Sequence, residues 1–377
     1  MNTAKKLRRW IKKLEGMQTS MQHVLQEIEE EGDSMTAETL PDISGAYAVI
    51  WDYKKGGRPI RAGLSEGLEE PHPAEGVSGK GSSPFDDILP WRGMQKYSIS
   101  DMRQHDADVV VNIPEFYYLA FKDKANHKWI WAISPTEQEG FRLHPGSGRY
   151  VGRYHTSKGA RSIPDASPLV NTNWNDFREL SQNKGPGWGM MDIVTWSAIQ
   201  LLYLIEFADF DSRSCLGSGS KDMENWDPVK MGGTDEAKYH TVKASGTANQ
   251  YRWIEDPFSN VFDWIDGFAG SGEGCRIGME SGLAMEDMPK TGIKLADDGW
   301  IKNFGYSKKT PWAFIPSKSE GDPDHVQNYV WSWPEGLYPA CVGGRYHDYA
   351  YYGFFYMYAS YSASYTSGSL GSRLQKT

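Results

Sequence analysis

One stretch of this chain, DIVTWSAIQLLYLIEFADF at Asp192 to Phe210, is apolar around most of the circumference of a predicted helix. A helix with that pattern is expected to be buried. A second predicted helix, NWNDFRELSQN at Asn173 to Asn183, precedes it, and Asn173 and Asp192 are the expected N-caps. From Asp211 onward, aromatic strand-like segments alternate with loops rich in Gly, Asp, Ser and Asn, and no long periodic helix follows. Two adjacent helices within loop-rich β structure predict an α+β fold.

Composition excludes several classes of protein. The chain has 377 residues, a net charge of -9 at pH 7 and a pI near 5.6, which argue against nucleic-acid binding. No apolar run approaches the roughly 20 residues that a membrane span needs, and none follows the basic N-terminus, so we expect neither a membrane span nor a signal peptide. Cys215, Cys275 and Cys341 lie far apart and form no CxxC pair, so neither zinc binding nor a disulfide scaffold is expected, and a reducing compartment is indicated.

Residues 3 to 31 carry a heptad pattern that is typical of a coiled coil. Its two apolar positions are occupied by Leu7, Leu14, Met21 and Ile28 and by Trp10, Met17 and Val24. Ile11 and Leu25 widen the stripe, so an amphipathic helix lying on its own domain is the alternative. The basic half of this helix comes first and the acidic half last, which opposes a parallel bundle and favours an antiparallel arrangement or a partner helix from another protein.

The remaining patterns divide the chain into three predicted regions. AYAVIWDY at Ala46 to Tyr53 predicts a strand, and DVVVNIPEFYYLAF at Asp108 to Phe121 followed by KWIWAIS at Lys128 to Ser134 predicts a hairpin. The run at residues 74–81 resembles a phosphate loop, but Ala74 and Gly81 stand where glycine and Ser or Thr are required. We therefore expect a helix over 1–33, a small irregular β region and linker over 34–104, and one domain over 105–377.

No catalytic signature is present. His144, His155 and His240 are each more often surface or hydrogen-bonded histidines than functional ones. The acidic stretches DFDSRS, from Asp209, and EGDPDH, from Glu320, could supply oxygen ligands for calcium, but neither has EF-hand spacing. We expect no cofactor, with calcium as the alternative, and no enzymatic activity.

The C-terminal segment YHDYAYYGFFYMYASYSASYTSG, at Tyr346 to Gly368, is rich in tyrosine spaced by Ser, Ala, Gly and Asp. A core strand would carry Val, Ile and Leu, whereas this composition is typical of an antibody-like contact surface. Tyrosine supplies a large, rigid, amphipathic contact, and Ser and Gly allow it to adapt. We expect Phe354, Phe355 and Tyr356 to pack in the core and most other rings of the segment to form a ligand-binding face.

Three phrases resemble the formylglycine-generating-enzyme branch of the C-type lectin fold. They are CVGGRY at Cys341 to Tyr346, GFFY at Gly353 to Tyr356 and LGSRL at Leu370 to Leu374, supported by the apolar helix and by DVVVNIPEFYY. The resemblance covers roughly residues 105 to 377 and implies a C-type lectin-like domain. The enzymes of that branch place a cysteine pair just after the GG turn, where this chain has residues near Asp348 and Gly353, so thiol oxidation is not expected.

Within that fold, the C-terminal segment is similar to the variable proteins of diversity-generating retroelements. In such systems Asn codons are the main targets, and their replacement yields Tyr, His, Asp, Ser, Thr, Ala and Gly, which is largely the set found between Tyr346 and Ser369. The phrases SSPFDDILPW and GSGRYVGRY are similar to those of phage tail proteins that carry such domains. The resemblance implies fixed frame residues at Gly343, Gly344, Gly353, Phe354, Phe355, Gly371 and Arg373.

The sequence therefore predicts a non-enzymatic receptor-binding protein, located in a phage tail and synthesised in the bacterial cytoplasm. Its partners would be a host cell-surface protein or glycan, other phage tail proteins, and further copies of itself through the N-terminal helix, with a trimer favoured. The alternatives are a structural tail or surface protein that uses its tyrosines for subunit packing, and an enzyme of the same fold. The predicted ligand-binding residues are Tyr346, His347, Asp348, Tyr349, Tyr351, Tyr352, Tyr358, Ser360, Tyr361, Ser364, Tyr365, Ser367 and Ser369.

Overall fold

The structure, a computed structural model, describes residues 40–100, 107–221, 227–270, 273–280, 282–333, 335–345 and 351–377. The predicted N-terminal helix over 1–33 lies outside the described residues, as do four predicted contact residues, Tyr346, His347, Asp348 and Tyr349. Within the described ranges the chain is mostly β-strand with few helices. No described helix combines the length and the apolar character needed to cross a membrane.

The strands, in chain order, are β1 (Tyr47–Asp52), β2 (Ile60–Gly63), β3 (Ala74–Glu75), β4 (Lys96–Ser100), β5 (Ala107–Ile113), β6 (Tyr117–Asp123), β7 (Lys128–Ser134), β8 (Arg142–Leu143), β9 (Arg149–His155), β10 (Trp188–Met190), β11 (Gly219–Ser220), β12 (Val242–Lys243), β13 (Ser245–Gly246), β14 (Gln250–Tyr251), β15 (Ile254–Glu255), β16 (Phe262–Gly270), β17 (Arg276–Ile277), β18 (Gly299–Phe304), β19 (Pro316–Glu320), β20 (Tyr329–Ser332), β21 (Tyr338–Gly343), β22 (Gly353–Ala359) and β23 (Leu370–Lys376). The helices are α1 (Trp174–Gln182), α2 (Ile193–Phe207) and α3 (Ser212–Leu216), with 3₁₀ turns at Trp91–Gly93 and Met285–Asp287.

Two sheets carry most of the fold. The first has the order β2-β1-β7-β6-β8, and the second has the order β19-β18-β20-β22-β21-β16-β23-β9-β5-β4, with β10 pairing β23 and β17 pairing β16. Because β1 pairs with β7 and β4 pairs with β5, the region 34–104 shares both sheets with the region after residue 105. Two smaller sheets, β15-β14-β12-β3 and β11-β13, complete the β structure of the described ranges.

The predicted hairpin is present only in its second half. β6 pairs with β7 in an antiparallel register from Tyr117 opposite Ser134 to Asp123 opposite Lys128. The preceding strand β5 belongs to the other sheet, where it pairs with β4 and β9. Pro114 lies between β5 and β6 and has no backbone N–H to donate to a ladder, so the predicted single strand divides there.

The apolar helix α2 is the centre of the molecule. Every residue from Ile193 to Phe207 is buried, as its sequence pattern predicts. It packs against β1 and β7 on one side and β16 on the other, so it lies between the two large sheets. Asp192 caps it by accepting from the Thr195 N–H at 2.7 Å, and it ends at Phe207 because Ala208 adopts a left-handed conformation.

The shorter helix α1 has the predicted N-cap. The Asn173 side chain accepts from the Asp176 N–H at 3.0 Å, and Trp174 and Phe177 are buried against the core. The Trp174 N–H itself donates to the Ala363 carbonyl at 3.1 Å. The start of α1 therefore holds part of the C-terminal loop in place.

Candidate functional site

Three neighbouring strands at one end of the large sheet bring aromatic residues from distant parts of the sequence together. In the β18–β20 pair Trp300 lies opposite Tyr329, and in the parallel β20–β22 pair Trp331 lies opposite Tyr358. Tyr329 and Trp331 are two residues apart on one strand, so their side chains leave the sheet on the same face. Cross-strand aromatic pairs of this kind interact directly.

These side chains belong to one continuous series of ring contacts, which we call the aromatic row. Consecutive ring centroids are separated by 5.2 Å (Tyr351 to Trp300), 5.7 Å (Trp300 to Tyr329), 4.7 Å (Tyr329 to Trp331), 6.1 Å (Trp331 to Tyr358), 4.2 Å (Tyr358 to Tyr361) and 4.2 Å (Tyr361 to Tyr365). All of these separations lie within or just below the range typical of interacting rings.

The aromatic row is open to solvent along its length. Tyr351 and Tyr365 at its two ends are 36% and 40% exposed, and the five rings between them are half-buried. Trp333, two residues beyond Trp331, is 57% exposed. Large aromatic side chains that are grouped on a surface mark an interaction site, whereas a single exposed aromatic residue needs no such explanation.

Tyr329, Tyr358 and Tyr361 of the row are neutral at physiological pH. Burial raises the pKa of Tyr329, Tyr358 and Tyr361, and a hydrogen bond to Tyr358 raises that of Tyr361 further. An unperturbed tyrosine already titrates near pH 10. The row therefore offers apolar ring surface and uncharged hydroxyl groups to a ligand.

Two charged groups lie beside the row. Near Trp300 and Trp331, the Asp298 carboxylate accepts from the Ser332 N–H at 2.7 Å and is exposed. The Arg345 guanidinium lies over the Phe262 ring at 5.1 Å, donates to the Ser369 hydroxyl at 3.0 Å, and acts electrostatically on Tyr358 and Tyr361. The row therefore has an acidic group beside Trp300 and Trp331 and a basic group beside Tyr358 and Tyr361.

Four of the predicted contact residues lie in the aromatic row: Tyr351, Tyr358, Tyr361 and Tyr365. Ser364 is exposed, and Ser360 and Ser367 are half-buried in the loop that follows β22. Two backbone hydrogen bonds attach this loop to the residues before α1, from Trp174 N–H to Ala363 and from Asn171 N–H to Ser367. A turn between Ser362 and Tyr365 shapes its tip.

Two other predicted contact residues do not face solvent. Tyr352 is fully buried: its hydroxyl donates to the Ser218 carbonyl at 2.8 Å, and the Arg213 guanidinium covers its ring at 4.8 Å. Ser369 is 3% exposed, and its hydroxyl accepts from Arg345. The expectation that both present their side chains on an open face is corrected, because hydrogen bonds and packing turn these side chains inward.

The expected burial of Phe354, Phe355 and Tyr356 is confirmed, since each is at most 2% exposed. Phe354 stacks on Tyr203 of α2 with ring centroids 4.6 Å apart. Its backbone is also held, because its N–H donates to the Ser212 hydroxyl at 3.0 Å and its carbonyl accepts from Gln200 at 2.7 Å. Strand β22 is therefore anchored to the central helix α2.

The predicted frame glycines stand where a side chain would collide with its surroundings. A Cβ atom on Gly344, whose φ is +90°, would lie 2.0 Å from the Tyr352 Cβ. A Cβ atom on Gly353 would lie 2.3 Å from the Ser212 hydroxyl and 2.9 Å from the Asn328 amide nitrogen. These contacts explain physically why the two positions need glycine.

Arg373 secures the last strand. It is 1% exposed, forms an ion pair with Asp263 at 3.3 Å, and donates to the carbonyl oxygens of Gly152, Arg153, Glu255 and Asp256. Gly371 lets this strand approach its neighbour, because a Cβ there would lie 2.8 Å from a Val261 methyl carbon. Strand β23 is thus held in place by a buried, well-bonded charge.

The three histidines have structural partners. His144 is fully buried, which lowers its pKa to about 3, and it contacts the Phe116 ring. His155 lies 2.9 Å from the buried Asp263 carboxylate, and His240 lies 2.8 Å from Asp86. In the ranges that the structure describes, no three His, Cys, Asp or Glu side chains group together as a metal site would require.

The two acidic stretches are engaged by the protein itself. Asp209 forms an ion pair with Arg58 at 3.1 Å, and Asp211 caps α3 through the Ser214 N–H. Glu320 pairs with Lys302 and His325. The three cysteines are free thiols, and Cys275 and Cys341 are buried.

Trp300, Tyr329 and Trp331 are the site residues that the sequence reasoning missed. They lie outside the tyrosine-rich segment. The local signal for Tyr329 and Trp331 is the aromatic phrase NYVWSW at Asn328 to Trp333, and Trp300 lies in the phrase DDGWIKNF. Their place beside Tyr358 depends on the parallel pairing of β20 with β22.

Comparison with known proteins gives only distant likenesses. No family model matches the chain, and no curated protein matches it. Among solved structures it is similar to "Major Tropism Determinant U1 Variant", with 11% identity, a TM-score of 0.29, and coverage of 70% of this chain and 72% of the other. It is also similar to "Major Tropism Determinant I1 Variant" (11% identity, TM-score 0.30, 79% and 88% covered) and to the PvdO structure from Pseudomonas aeruginosa (11% identity, TM-score 0.32, 74% and 97% covered). With identities and TM-scores this low, function has to be inferred from the residues of the site itself.

Proposed function

We propose that this chain is a non-enzymatic ligand-binding protein with a C-type lectin-like domain, and that the aromatic row is its contact face. One observation carries the proposal: seven partly exposed rings, in unbroken contact, extend over three strands and the loop after β22. Tyr and Trp are enriched at interface hot spots because they bury much area at low entropic cost. The biological role we propose is that of a phage tail adhesin which binds a host-surface ligand.

The buried frame residues and the surface residues of the aromatic row have different surroundings, and this difference supports the proposal that the C-terminal segment is diversified. Gly344 and Gly353 have no room for a Cβ atom, and Phe354 is buried and stacks on Tyr203. Tyr361 and Tyr365, in contrast, pack mainly on neighbouring rings at the surface. We propose that a retroelement varies the exposed positions, including the residues 346–349 outside the described ranges, while the buried positions stay constant.

The proposed assembly is a homo-oligomer formed through the residues 1–33, with a trimer favoured. Several copies of one weak face on a particle raise avidity without new contacts. Subunit packing through the tyrosines is the competing role, because exposed rings also stabilise contacts between copies.

The test is a triple variant, Tyr351→Ser with Tyr361→Ser and Tyr365→Ser. Its matched control is Tyr97→Ser with Tyr150→Ser, a ring pair at 5.8 Å on β4 and β9, at the other end of the same sheet. Adsorption to host cells and native mass are measured for both variants and for the unchanged chain.

Ligand binding predicts that the triple variant keeps its native mass and loses adsorption, while the control keeps both. Dissociation of the triple variant with the control intact would favour subunit packing instead. Unchanged adsorption by the triple variant would refute the proposed contact face.

A further inference from the structure

The Asp298 carboxylate is held in a fixed place beside the aromatic row. It accepts from the Ser332 N–H at 2.7 Å, and the Ser332 hydroxyl donates to the Ala296 carbonyl at 2.6 Å. These two bonds tie the residues before β18 to the end of β20, which places the carboxylate next to the strand positions of Trp300 and Trp331. Its charge reaches the rings, because it contributes to the raised pKa of both Tyr329 and Tyr358.

This carboxylate has no ion-pair partner within the described ranges, unlike several others of the molecule. Asp52, Asp209 and Glu206, for example, form ion pairs with Lys128, Arg58 and Arg252 at 2.7, 3.1 and 2.5 Å. Asp298 is exposed and accepts a single backbone hydrogen bond. A carboxylate in that state retains lone pairs that can accept from a ligand.

The rings of the row also differ from some other partly exposed rings of the chain, because no cation of the described residues covers them. Elsewhere, partly exposed rings are covered by the chain's own cations, as Lys96 covers Trp253 at 4.4 Å and Lys122 covers Tyr53 at 5.1 Å. Among the described Lys and Arg side chains, none lies over a ring of the aromatic row. Arg345 lies over the Phe262 ring at 5.1 Å and acts electrostatically on Tyr358 and Tyr361, away from Trp300.

We propose that the part of the row beside Asp298, around Trp300 and Trp331, binds a cationic side chain, arginine or lysine, of a protein ligand. The inference rests on the proposed function and names the chemistry that the face selects. A guanidinium can stack on an aromatic ring and donate to a carboxylate at the same time, which a compact ammonium does less well. Arginine is accordingly the preferred group.

The position of this subsite gives it a particular role. Asp298, Trp300, Tyr329 and Trp331 all lie outside the segment 345–369 that we propose to be varied. The cation subsite would therefore stay constant while neighbouring rings change. Each variant of the face would keep one charged anchor and alter the contacts around it.

The experiment uses the full chain and two small probes, N-acetyl-arginine amide and its neutral isostere N-acetyl-citrulline amide. Indole N–H signals of Trp300, Trp331 and Trp333 are followed by NMR as each probe is added, with indole assignments made by single Trp→Phe substitutions. Asp298→Asn removes the charge but keeps an oxygen for the Ser332 N–H. Asp297→Asn is the matched control, since Asp297 is also exposed and immediately precedes Asp298.

We expect the arginine probe to shift the Trp300 and Trp331 signals, with the citrulline probe binding at least about fivefold more weakly, as the loss of one exposed cation–π and charge contact implies. Asp298→Asn should weaken the arginine probe by a similar factor, and Asp297→Asn should not. Equal binding of the two probes, equal effects of the two substitutions, or binding of a neutral oligosaccharide but not of the arginine probe would each overturn the inference. If one of these results is found and adsorption to host cells still depends on Tyr361 and Tyr365, the cation-binding inference is wrong but the proposed function remains supported.

Discussion

Tyr352 separates the two roles that tyrosine has in the C-terminal segment. Its neighbour Tyr351 is 36% exposed, whereas Tyr352 is fully buried. Its ring packs near Phe258 at 6.2 Å and under the Arg213 guanidinium at 4.8 Å, and its hydroxyl donates to the Ser218 carbonyl. Replacing it should therefore affect stability, and replacing an exposed tyrosine should affect binding.

The expected magnitude follows from these contacts. Truncating a fully buried aromatic side chain to alanine costs about 3–5 kcal/mol, so Tyr352→Ala should lower the free energy of unfolding by that amount. Tyr352→Phe removes only the hydroxyl and leaves the Ser218 carbonyl without this donor, at a cost of about 1 kcal/mol. Tyr365→Ala, at a 40% exposed position, should change the free energy of unfolding by about 0.5 kcal/mol or less.

Urea unfolding of the four proteins, followed by tryptophan fluorescence, measures these differences as shifts in the midpoint at unchanged slope. We expect the unchanged chain and Tyr365→Ala to be the most stable and nearly equal. Tyr352→Phe should be less stable, and Tyr352→Ala should be the least stable. A midpoint for Tyr352→Ala equal to that of Tyr365→Ala would refute the argument that Tyr352 belongs to the frame.

Three further predictions concern the support of the site. Gly344→Ala should destabilise the chain by about 3 kcal/mol, measured by urea unfolding, because φ is +90° and the new Cβ meets Tyr352; a loss below about 1 kcal/mol would contradict this. Asn328→Ala should cost about 1–3 kcal/mol in the same assay, because the Phe355 N–H loses its acceptor at 2.8 Å, and a neutral effect would contradict it. Burial, and then the charge of Glu255, raises the pKa of Asp256 to about 6, so its contribution to stability is present below pH 4 and is lost as the pH rises through about 6. The stability difference between Asp256→Asn and the unchanged chain should therefore grow in favour of the variant from pH 4 to pH 7, in urea unfolding at several pH values, and a pH-independent difference would contradict it.

Local signals in the sequence predicted the helical centre of the fold well. Asn173 and Asp192 cap their helices as expected, because an N-cap depends on one side chain and the first turn that follows it. The all-round apolar pattern of α2 likewise predicted its burial. Pro114 was the local signal that the hairpin prediction overlooked, and it separates β5 from β6.

The site could be predicted only in part. Composition identified the tyrosine-rich segment, but it could not distinguish Tyr351 from Tyr352, because adjacent tyrosines have the same composition and the sequence around them has no regular apolar period. The pairings that bring Trp300 and Trp331 to the row join strands that do not follow each other in the chain, because β19 lies between β18 and β20, and β21 lies between β20 and β22. Such pairings are set by the tertiary packing of the whole sheet, so a reading of local pattern does not find them.

The most direct test of a varied face on a constant frame is deep sequencing of codons 345 to 369 in a population descended from one source clone, with its retroelement machinery active. We expect substitutions at the codons of exposed or half-buried residues, among them Tyr351, Tyr361 and Tyr365, and none at the buried codons from Tyr352 to Met357. A uniform sequence, or substitutions spread equally over the buried codons, would contradict it.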